Sequence, residues 1–393
     1  MESQQPVGAS REQETAAPPQ NRWSTAPLRI RAIETVALRV PLARVFRGSK
    51  YQMDKRCTII TRIITEEGIV GEAYNGDEDD QQAIILKIIQ QELTPALAGH
   101  DVFDTEGCWS AMLPSTFDIL RERKLATQAI ACVDSAIWDA VGKALGMPLY
   151  RLWGGCRNAL PIVAIGGYYG RTSRELAEEM VYYQLQGLAG CKFKVGGASP
   201  REDAQRFRVA REAAGPSFVL MADANQGYTL REAVEFTRLI DGLDIRWFEE
   251  PCRWTNDRRL MRDVRYLTGV PVAAGQSEVS LAGARDLITD GAIDVCNFDA
   301  SWAGGPTQWR RVSALAAAFD VQMAHHEEPQ ISAHLLAAVP HGTYVECFHP
   351  DRDPLFWNLI RNRSRIKDGL YSVPAGPGFG LELDADYIAR YAV

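Results

Sequence analysis

The sequence predicts an α/β fold, a (β/α)8-type barrel preceded by a smaller α+β unit. Beyond residue 160, short apolar segments alternate with helical stretches, and each interval between them fits one helix and a returning strand. Most of these segments are too apolar to have a solvated face, as is typical of parallel strands buried on both sides. No Gly-x-Gly-x-x-Gly follows the first strand, which counts against a doubly wound open sheet.

The barrel is predicted at residues 151–370. Its predicted strands cover 161–165, 191–195, 219–224, 245–249, 272–275, 295–299, 322–326 and 344–347. Predicted helices between them include 173–188, 201–214, 230–243 and 306–319. Repeating β–α units of this kind are typical of a closed barrel with its site at the carboxyl ends of the strands.

The preceding part, residues 27–150, is predicted to hold strands and then helices. β-Branched residues dominate 58–65, and Gly68 follows as a turn residue. Apolar residues then recur every three to four positions up to a stop at Gly146-Met147-Pro148. Residues 1–26 are polar and are predicted to be a disordered tail.

Composition excludes several classes of function. The 393 residues are 46% hydrophobic and 24% charged with a net charge of −7, so nothing indicates a nucleic-acid or membrane partner. No apolar run reaches the ~18 residues of a membrane-spanning helix. The first residues lack the pattern of a secretory signal, and the 8 cysteines never form Cys-x-x-Cys. We therefore expect a cytoplasmic protein with reduced cysteines.

Polar residues end one predicted barrel strand after another. In chain order they are Lys192 and Lys194, Asp223, Glu249, Gln276 and Glu278, Asp299, His326, and Glu346. Each alone is as readily a helix cap, a salt-bridge partner or a buried structural residue. Because an unpaired charge is costly to bury in an apolar strand, their joint occurrence at strand ends predicts one site.

The residue types indicate the chemistry. Asp223 and Glu249, with a third oxygen, form the kind of ligand set that Mg²⁺ prefers. Lys192 and Lys194 face the same way, so their charges and burial are expected to depress their pKa values towards those of a general base. Asp299 on a neighbouring strand would fix the tautomer of His326.

Several motifs resemble the enolase superfamily and, within it, the mandelate racemase-like group. They are the stretch 138–148 before Leu152-Trp153-Gly154-Gly155, then Lys192-Phe193-Lys194, Asp223-Ala224-Asn225, Glu249-Glu250-Pro251, 331–336 and 376–381. The resemblance runs from about residue 30 to the C-terminus and implies that 27–150 is a capping domain, completed by the segment 371–393.

The resemblance also implies roles for the residues. Carboxylates of strands three, four and five, here Asp223 and Glu249 for the first two, would bind Mg²⁺, with Asn225 beside the metal. Lys194 would be the base, with Lys192 at its side, and His326, backed by Asp299, would act on the opposite face. Glu346 would hydrogen-bond the substrate carboxylate. A specificity loop is implied within 43–53, where Arg47 and Tyr51 are candidates, as is Tyr168 after the first barrel strand. The resemblance further implies a homo-oligomer.

One position departs from the family pattern. The family has a glutamate directly after the glycine of strand five, and this chain has Gln276 there. If the strand continues, Glu278 faces the same way and would be the anionic ligand, with Gln276 close by. The alternative is a weaker site with two carboxylates.

We expect removal of the proton α to a carboxylate, followed by loss of water from a sugar acid to give a 2-keto-3-deoxy acid. A small-molecule carboxylate would be the partner. The alternatives are a 2-hydroxyacid racemase or epimerase, because a lysine and a histidine on opposite faces permit both reactions, and a non-catalytic sugar-acid binding protein.

Overall fold

The computed structural model describes residues 26–76 and 80–393. The predicted tail, apart from Ala26, lies outside the described residues. Within them, no helix has the length and apolar character needed to cross a bilayer.

The N-terminal unit starts with an antiparallel sheet. Its strands are β1 (Ile30–Arg47), β2 (Gln52–Thr65) and β3 (Val70–Asn75), in the order β1-β2-β3. The β-branched segment predicted as a strand lies within β2 and pairs on both sides. Gly68 takes a φ of 86° in the β2–β3 turn, a conformation that glycine adopts without steric cost.

Helices cover one face of this sheet. They are α1 (Gln82–Ile88), α2 (Thr94–Leu97), α3 (Thr105–Met112), α4 (Arg123–Ala144) and α5 (Leu149–Leu152). A π-helical turn at Ile89–Leu93 joins α1 to α2, and a 3-10 turn at Leu113–Thr116 follows α3. Most of α4 is buried because it packs against both the sheet and the barrel.

The barrel strands follow. They are β4 (Ala159–Gly166), β5 (Gly190–Lys194), β6 (Val219–Asp223), β7 (Ile245–Glu249), β8 (Val272–Ala274), β9 (Val295–Cys296), β10 (Gln322–Met323) and β11 (Val345–Phe348). Neighbours pair in parallel from β4 through β10, and β11 pairs in parallel with β4. The last seam, between β10 and β11, has an isolated parallel bridge and a hydrogen bond of 2.8 Å from the Thr343 amide to the Met323 carbonyl. The predicted α/β barrel is confirmed.

Helices surround the strands. They are α6 (Ser173–Leu185), α7 (Pro200–Ala214), α8 (Leu230–Leu239), α9 (Asp257–Thr268), α10 (Leu281–Thr289), α11 (Gly305–Ala318) and α12 (Pro329–Ala338). Thr172, Ser199 and Thr229 each start a helix with a reciprocal capping box, which satisfies otherwise unpaired backbone donors. A 3-10 turn at Trp254–Asn256 precedes α9.

The chain ends with α13 (Pro354–Asn358), β12 (Ile366–Lys367), β13 (Leu370–Ser372) and α14 (Ala385–Tyr391). This last segment runs back to the N-terminal unit. The Leu149 amide donates to the Gly378 carbonyl at 3.0 Å, and the Val393 amide donates to the Ala37 carbonyl at 3.1 Å.

Candidate active site

Two lysines of β5 point into the barrel and are fully buried. Lys194 Nζ lies 2.6 Å from Asp223 Oδ2 and 2.9 Å from Asn225 Oδ1. Lys192 Nζ lies 2.7 Å from Glu249 Oε1 and 2.8 Å from Glu346 Oε2. The structure therefore brings six of the predicted residues into two hydrogen-bonded groups, each around one lysine, on neighbouring strands.

The expectation of depressed lysine pKa values is wrong for this arrangement. Burial lowers the pKa of Lys194, but the Asp223 carboxylate and nearby tyrosines outweigh burial and raise it well above its usual value. Burial also lowers the pKa of Lys192. The carboxylates of Glu249 and Glu346 outweigh burial, so the pKa of Lys192 is raised as well. Two adjacent ammonium groups lower each other's pKa, but here a carboxylate faces each of them and has the larger effect.

Asp223 and Glu249 are neighbours across the sheet. Asp223 pairs in register with Lys194 on one side and with Glu249 on the other, and both carboxylates are completely buried. Burial raises the pKa of Glu249 to about 8, against the opposing effect of Lys192. Burial would raise that of Asp223 too, but the lysines lower it. Two adjacent buried carboxylates concentrate negative charge at this end of the barrel.

A cavity of about 320 Å³ opens above these strands. It is lined by Tyr51, Gln52, Met53, Lys194, Asn225, Gln226, Glu250, Gln276, Ser277, Trp302, His326, Glu327 and Arg352. Lys194 and His326 thus face one space, between the cap loop and the barrel rim. Its size suits a small organic molecule.

His326 is held on both ring nitrogens. Nδ1 lies 2.9 Å from Asp299 Oδ2, as predicted, and Nε2 lies 3.1 Å from Glu327 Oε1. The Trp302 ring packs at 4.9 Å between centroids. Burial lowers the pKa of His326, but the two carboxylates outweigh it and raise that pKa well above its usual value.

Glu250 and Glu327 are functional candidates that sequence reasoning missed. Each directly follows a predicted site residue, and alternation along a strand would send it to the other face. The backbone instead takes left-handed φ values of 37° at Glu250 and 52° at Glu327, so both side chains line the cavity. The Glu250 carboxylate accepts hydrogen bonds from Ser277 Oγ at 2.7 Å and Gln276 Nε2 at 3.3 Å. A repeated acidic residue after the strand is the one signal that the sequence offered.

Glu278 is not brought to the cavity. The expectation that strand five continues is wrong, because β8 ends at Ala274 and the Glu278 amide donates to the Gly275 carbonyl at 3.1 Å in a turn. The Glu278 side chain lies instead with Asp257 in a small adjoining pocket, which shares Glu250 with the cavity. Gln276 does line the cavity, and its side chain contacts Glu250 and Asn297.

Only some of the predicted substrate-binding residues line the cavity. Tyr51 lines the cavity, and Lys194 Nζ lies 5.6 Å from the centre of its ring. Tyr168 is buried beside the cavity, and among the described residues its hydroxyl has no hydrogen-bond partner. Arg47 is exposed and is not among the residues that line the cavity; its backbone bridges to Tyr169.

The side-chain oxygens at this end of the barrel are of the type that binds a hard cation. Within 26–76 and 80–393, no three His, Cys, Asp or Glu side chains form a ready metal-binding cluster. However, Asp223 and Glu249 are adjacent, and the charge of Asp223 contributes to a raised pKa at Glu250, after the larger effect of burial. These carboxylates and the Gln276 amide offer only oxygen ligands, which suit Mg²⁺.

Comparisons with known proteins define the class. Residues 31–154 match the family model described as mandelate racemase / muconate lactonizing enzyme, N-terminal domain. Residues 173–387 match the model described as enolase C-terminal domain-like. The chain therefore belongs to the mandelate racemase/muconate lactonizing enzyme family of the enolase superfamily, as the motifs predicted, and residues 31–154 correspond to its N-terminal capping domain.

Two relatives of the chain are named for reactions of sugar acids. The chain is 29% identical over 368 residues to 3,6-anhydro-alpha-L-galactonate cycloisomerase of Streptomyces coelicolor, covering 93% of this chain and 99% of the relative. It is 30% identical over 343 residues to arabinonate dehydratase of Saccharolobus solfataricus, covering 85% and 90%.

Solved structures of the family superpose closely. One mandelate racemase/muconate lactonizing enzyme is 57% identical with a TM-score of 0.91, covering 93% of this chain and 100% of its own. Another, from a marine actinobacterium and in complex with magnesium, is 55% identical with a TM-score of 0.88, covering 93% and 99%.

Proposed function

We propose that this protein is a Mg²⁺-dependent dehydratase of sugar acids that yields a 2-keto-3-deoxy acid. The observation that carries the proposal is that Lys194 and His326 line the same cavity beside the paired carboxylates Asp223 and Glu249. A base and an acid facing one small space suit a reaction that removes one proton and delivers another. The dehydratase among the relatives supports the same class of reaction.

Asp223 and Glu249 would hold the cation, with a third oxygen from Gln276 or Glu250. The magnesium complex of the 55%-identical structure supports this cofactor. When bound, Mg²⁺ supplies positive charge that favours the ionised carboxylates and a substrate carboxylate nearby. Asn225, which contacts Lys194 and follows Asp223, lies at the edge of the same group.

The protein's own groups then account for both proton transfers. Lys194 accepts the α-proton on Nζ as a neutral amine, so its contact with Asp223 must be released in the reacting complex. The electrons of the C–H bond move towards the substrate carboxylate. Lys192, bound to Glu346, is positioned to offset the negative charge that develops there.

His326 completes the reaction on the opposite side. Its Nε2 proton passes to the β-hydroxyl, the C–O bond breaks, and water leaves with the bonding electrons. The resulting enol takes up a proton at carbon three while its hydroxyl group loses one, which gives the 2-keto acid. Tyr51 and the buried hydroxyl of Tyr168 are candidates for binding the remaining hydroxyls of the substrate.

A ring-opening elimination is the second candidate. The same imidazole proton serves if the β-oxygen belongs to a ring, because protonation then opens the ring and no water is released. The relative named as a cycloisomerase, which covers 93% of this chain, favours including cyclic sugar acids among the substrates tested.

A screen of open-chain and cyclic sugar acids with Mg²⁺ tests the proposal. We expect 2-keto acid from at least one compound, and loss of product in K194A but not in K367A, a matched change at an exposed lysine. Deuterium incorporation at Cα in D₂O without 2-keto acid would instead identify a racemase. Binding without exchange or product across the library would identify a binding protein.

The predicted homo-oligomer is tested by light scattering of the purified chain. The cytoplasmic location also stays a prediction; none of the 8 cysteines forms a disulfide in the structure, and all but Cys156 are buried.

A further inference from the structure

The clearest feature that the sequence did not predict is the second carboxylate beside His326. Asp299 Oδ2 lies 2.9 Å from Nδ1, and Glu327 Oε1 lies 3.1 Å from Nε2. His326 is 4% exposed and Glu327 is 5% exposed, so water competes little for these contacts. Both nitrogens of one imidazole therefore face carboxylate oxygens in a protected site.

The chemistry of the donors restricts the charge of the ring. An ionised carboxylate only accepts hydrogen bonds, whereas a neutral imidazole carries one N–H and can satisfy one acceptor. If both carboxylates are ionised, both are satisfied at hydrogen-bond distance only when both ring nitrogens carry protons. The arrangement therefore selects the imidazolium ion, since a neutral ring would leave one buried carboxylate oxygen facing a nitrogen lone pair.

Glu327 is itself fixed from two sides. Its backbone has a left-handed φ of 52°, and its amide donates to Glu346 Oε2 at 3.0 Å. Its other carboxylate oxygen, Oε2, lies 3.5 Å from Nη2 of Arg56, a buried residue of β2 in the cap. Arg56 also contacts Glu328 at 3.0 Å and Asp353 at 3.4 Å. The position of Glu327 thus depends on the cap as well as on the barrel.

Other charged groups lie around the ring. His325 is held by its own hydrogen bonds to the Ala300 amide and the His326 carbonyl, and burial keeps its pKa low. Glu250 faces the same cavity as His326, and the charge of the imidazolium lowers the pKa of its carboxyl against the larger effect of burial. Lys194 lines the cavity too, and its ammonium faces Asp223.

We propose that Glu327 is a positioning residue that, together with Asp299, holds His326 as an imidazolium ion in the free enzyme and so commits it to donating a proton. This inference rests on the proposed function and narrows it. A racemase needs the histidine as a neutral base in one direction of its reaction, whereas elimination needs it as an acid. The contacts of Asp299 and Glu327 with His326 therefore favour elimination of a β-oxygen over racemisation.

The proton balance is simple. During the reaction Nε2 exchanges its contact with Glu327 for the β-oxygen of the substrate, and its proton leaves with that oxygen. His326 is left neutral, with its remaining proton on Nδ1 towards Asp299. Once the product has gone, a proton from solvent restores the imidazolium ion and Lys194 releases the α-proton to solvent, so the cycle takes up no net proton.

The charge of His326 is measured directly by NMR on ¹⁵N-histidine-labelled protein, with H326N used to assign its signals. We expect His326 to stay protonated well above pH 7 in the wild type and to titrate at lower pH in E327Q, which keeps the size of the side chain but removes the charge. E328Q changes the adjacent glutamate, which contacts Arg56 and not the imidazole, and should leave the titration unchanged. An unchanged His326 titration in E327Q, or an equal change in E328Q, would overturn the proposal.

Kinetics provide the second test. For a substrate found in the screen, dehydration by E327Q at pH 8 should fall at least about tenfold and recover as the pH is lowered, while Lys194-dependent exchange of the α-proton in D₂O is retained. An equal loss of both reactions at every pH would contradict a positioning role. If no substrate is dehydrated, the proposed function fails, but the NMR titration still decides the state of His326 by itself.

Discussion

Lys194 and His326 approach the cavity with different kinds of partner. The ammonium group of Lys194 faces one carboxylate at 2.6 Å, whereas the imidazole of His326 lies between two. Both contacts stabilise the protonated side chain, so the resting protein holds two proton donors at the cavity. A base becomes available only when Asp223 exchanges its lysine for another positive charge.

At the residue scale, H326N and K194A should separate the two proton transfers. H326N removes the acid, so dehydration should fall by about 10² to 10⁴-fold while deuterium still enters at Cα. K194A should abolish both, because no proton leaves the carbon. Mass spectrometry of recovered substrate and product measures exchange and turnover together. If H326N no longer incorporated deuterium at Cα, the assignment of Lys194 as the base would be wrong.

A buried histidine away from the site controls stability at acid pH. His334 Nδ1 accepts from the Tyr150 amide at 3.2 Å, and Nε2 donates to the Phe379 carbonyl at 3.0 Å, so the ring is neutral. Burial lowers the pKa of the His334 ring from its ordinary value of 6.5 to about 3. Below pH 6.5 the unfolded chain therefore binds a proton at His334, whereas the folded chain does not. As the pH falls from 6.5 towards about 3, the free energy of unfolding should decrease by about 1.4 kcal/mol per pH unit.

Comparing the wild type with H334Q isolates this effect, because the other histidines are common to both proteins. We expect the wild type to lose about 2 kcal/mol more than H334Q between pH 7 and pH 5 in denaturant titrations. Parallel pH profiles for the two proteins would show that His334 does not contribute.

Residue-level prediction succeeded where a side chain sits on a regular strand. Lys192, Lys194, Asp223 and Glu249 all lie on β5, β6 and β7, whose ends were located closely by short apolar segments in the sequence. It failed beyond strand ends. Glu278 follows a strand that ends earlier than predicted. At Glu250 and Glu327 a positive backbone φ turns the side chain towards the cavity. No residue type in the sequence signals such a turn, since glutamate rarely adopts it.

At the scale of elements, α4 connects the parts of the molecule. Its Asp139 accepts hydrogen bonds from the Glu72 amide of β3 at 2.7 Å and from the Phe379 amide of the C-terminal segment at 2.8 Å. Its Asp134 accepts from the Thr307 amide of α11 at 2.9 Å. One helix thus joins the cap sheet, the barrel and the end of the chain.

The contact between β3 and α4 is close enough to require a glycine. A Cβ on Gly71 would overlap backbone atoms of Ala136 and Ala140. We expect G71A to lower the free energy of unfolding by about 1–3 kcal/mol, because backbone cannot move aside as a flexible side chain can. V70A, at the exposed neighbouring position, should change it by less than about 0.5 kcal/mol. Equal stabilities of G71A and V70A in urea would contradict this packing.

Element prediction was accurate for long patterns and weaker for short ones. The strand predicted at 245–249 is β7 as observed, and the predicted 201–214 differs from α7 by one residue. The strands predicted at 295–299 and 322–326 are only β9 and β10, two residues each, because the chain leaves the ladder to form the rim. An apolar segment shows burial, but not where backbone pairing stops.

At the scale of the whole molecule, a cation bound between buried carboxylates should stabilise the fold. At a Mg²⁺ concentration one hundred times the Kd, the free energy of unfolding should rise by about 2.7 kcal/mol. The rise should be lost in D223N and retained in E278Q, because Glu278 does not line the cavity. Thermal unfolding with and without Mg²⁺ or a chelator measures it. Loss of the effect in E278Q would return Glu278 to the metal site.

The architecture was predictable because each repeating unit is local: an apolar strand, a polar end and a helix. Contacts between distant segments were not predictable. The contact between Arg56 and Glu327 is an example, because the two residues are 271 positions apart (327 − 56) and no local pattern relates them. Such contacts are settled by the packing of the cap on the barrel.

That contact has a consequence for protein engineering. Arg56 is supplied by one domain and Glu327 by the other, so a chimaera that carries a relative's cap without an equivalent arginine would keep every proton-transferring residue of its barrel. It would nevertheless lose the cation that holds Glu327 in place. Exchanging caps to alter substrate choice in this protein therefore also alters the reactivity of the barrel, and designs that graft new loops should retain Arg56.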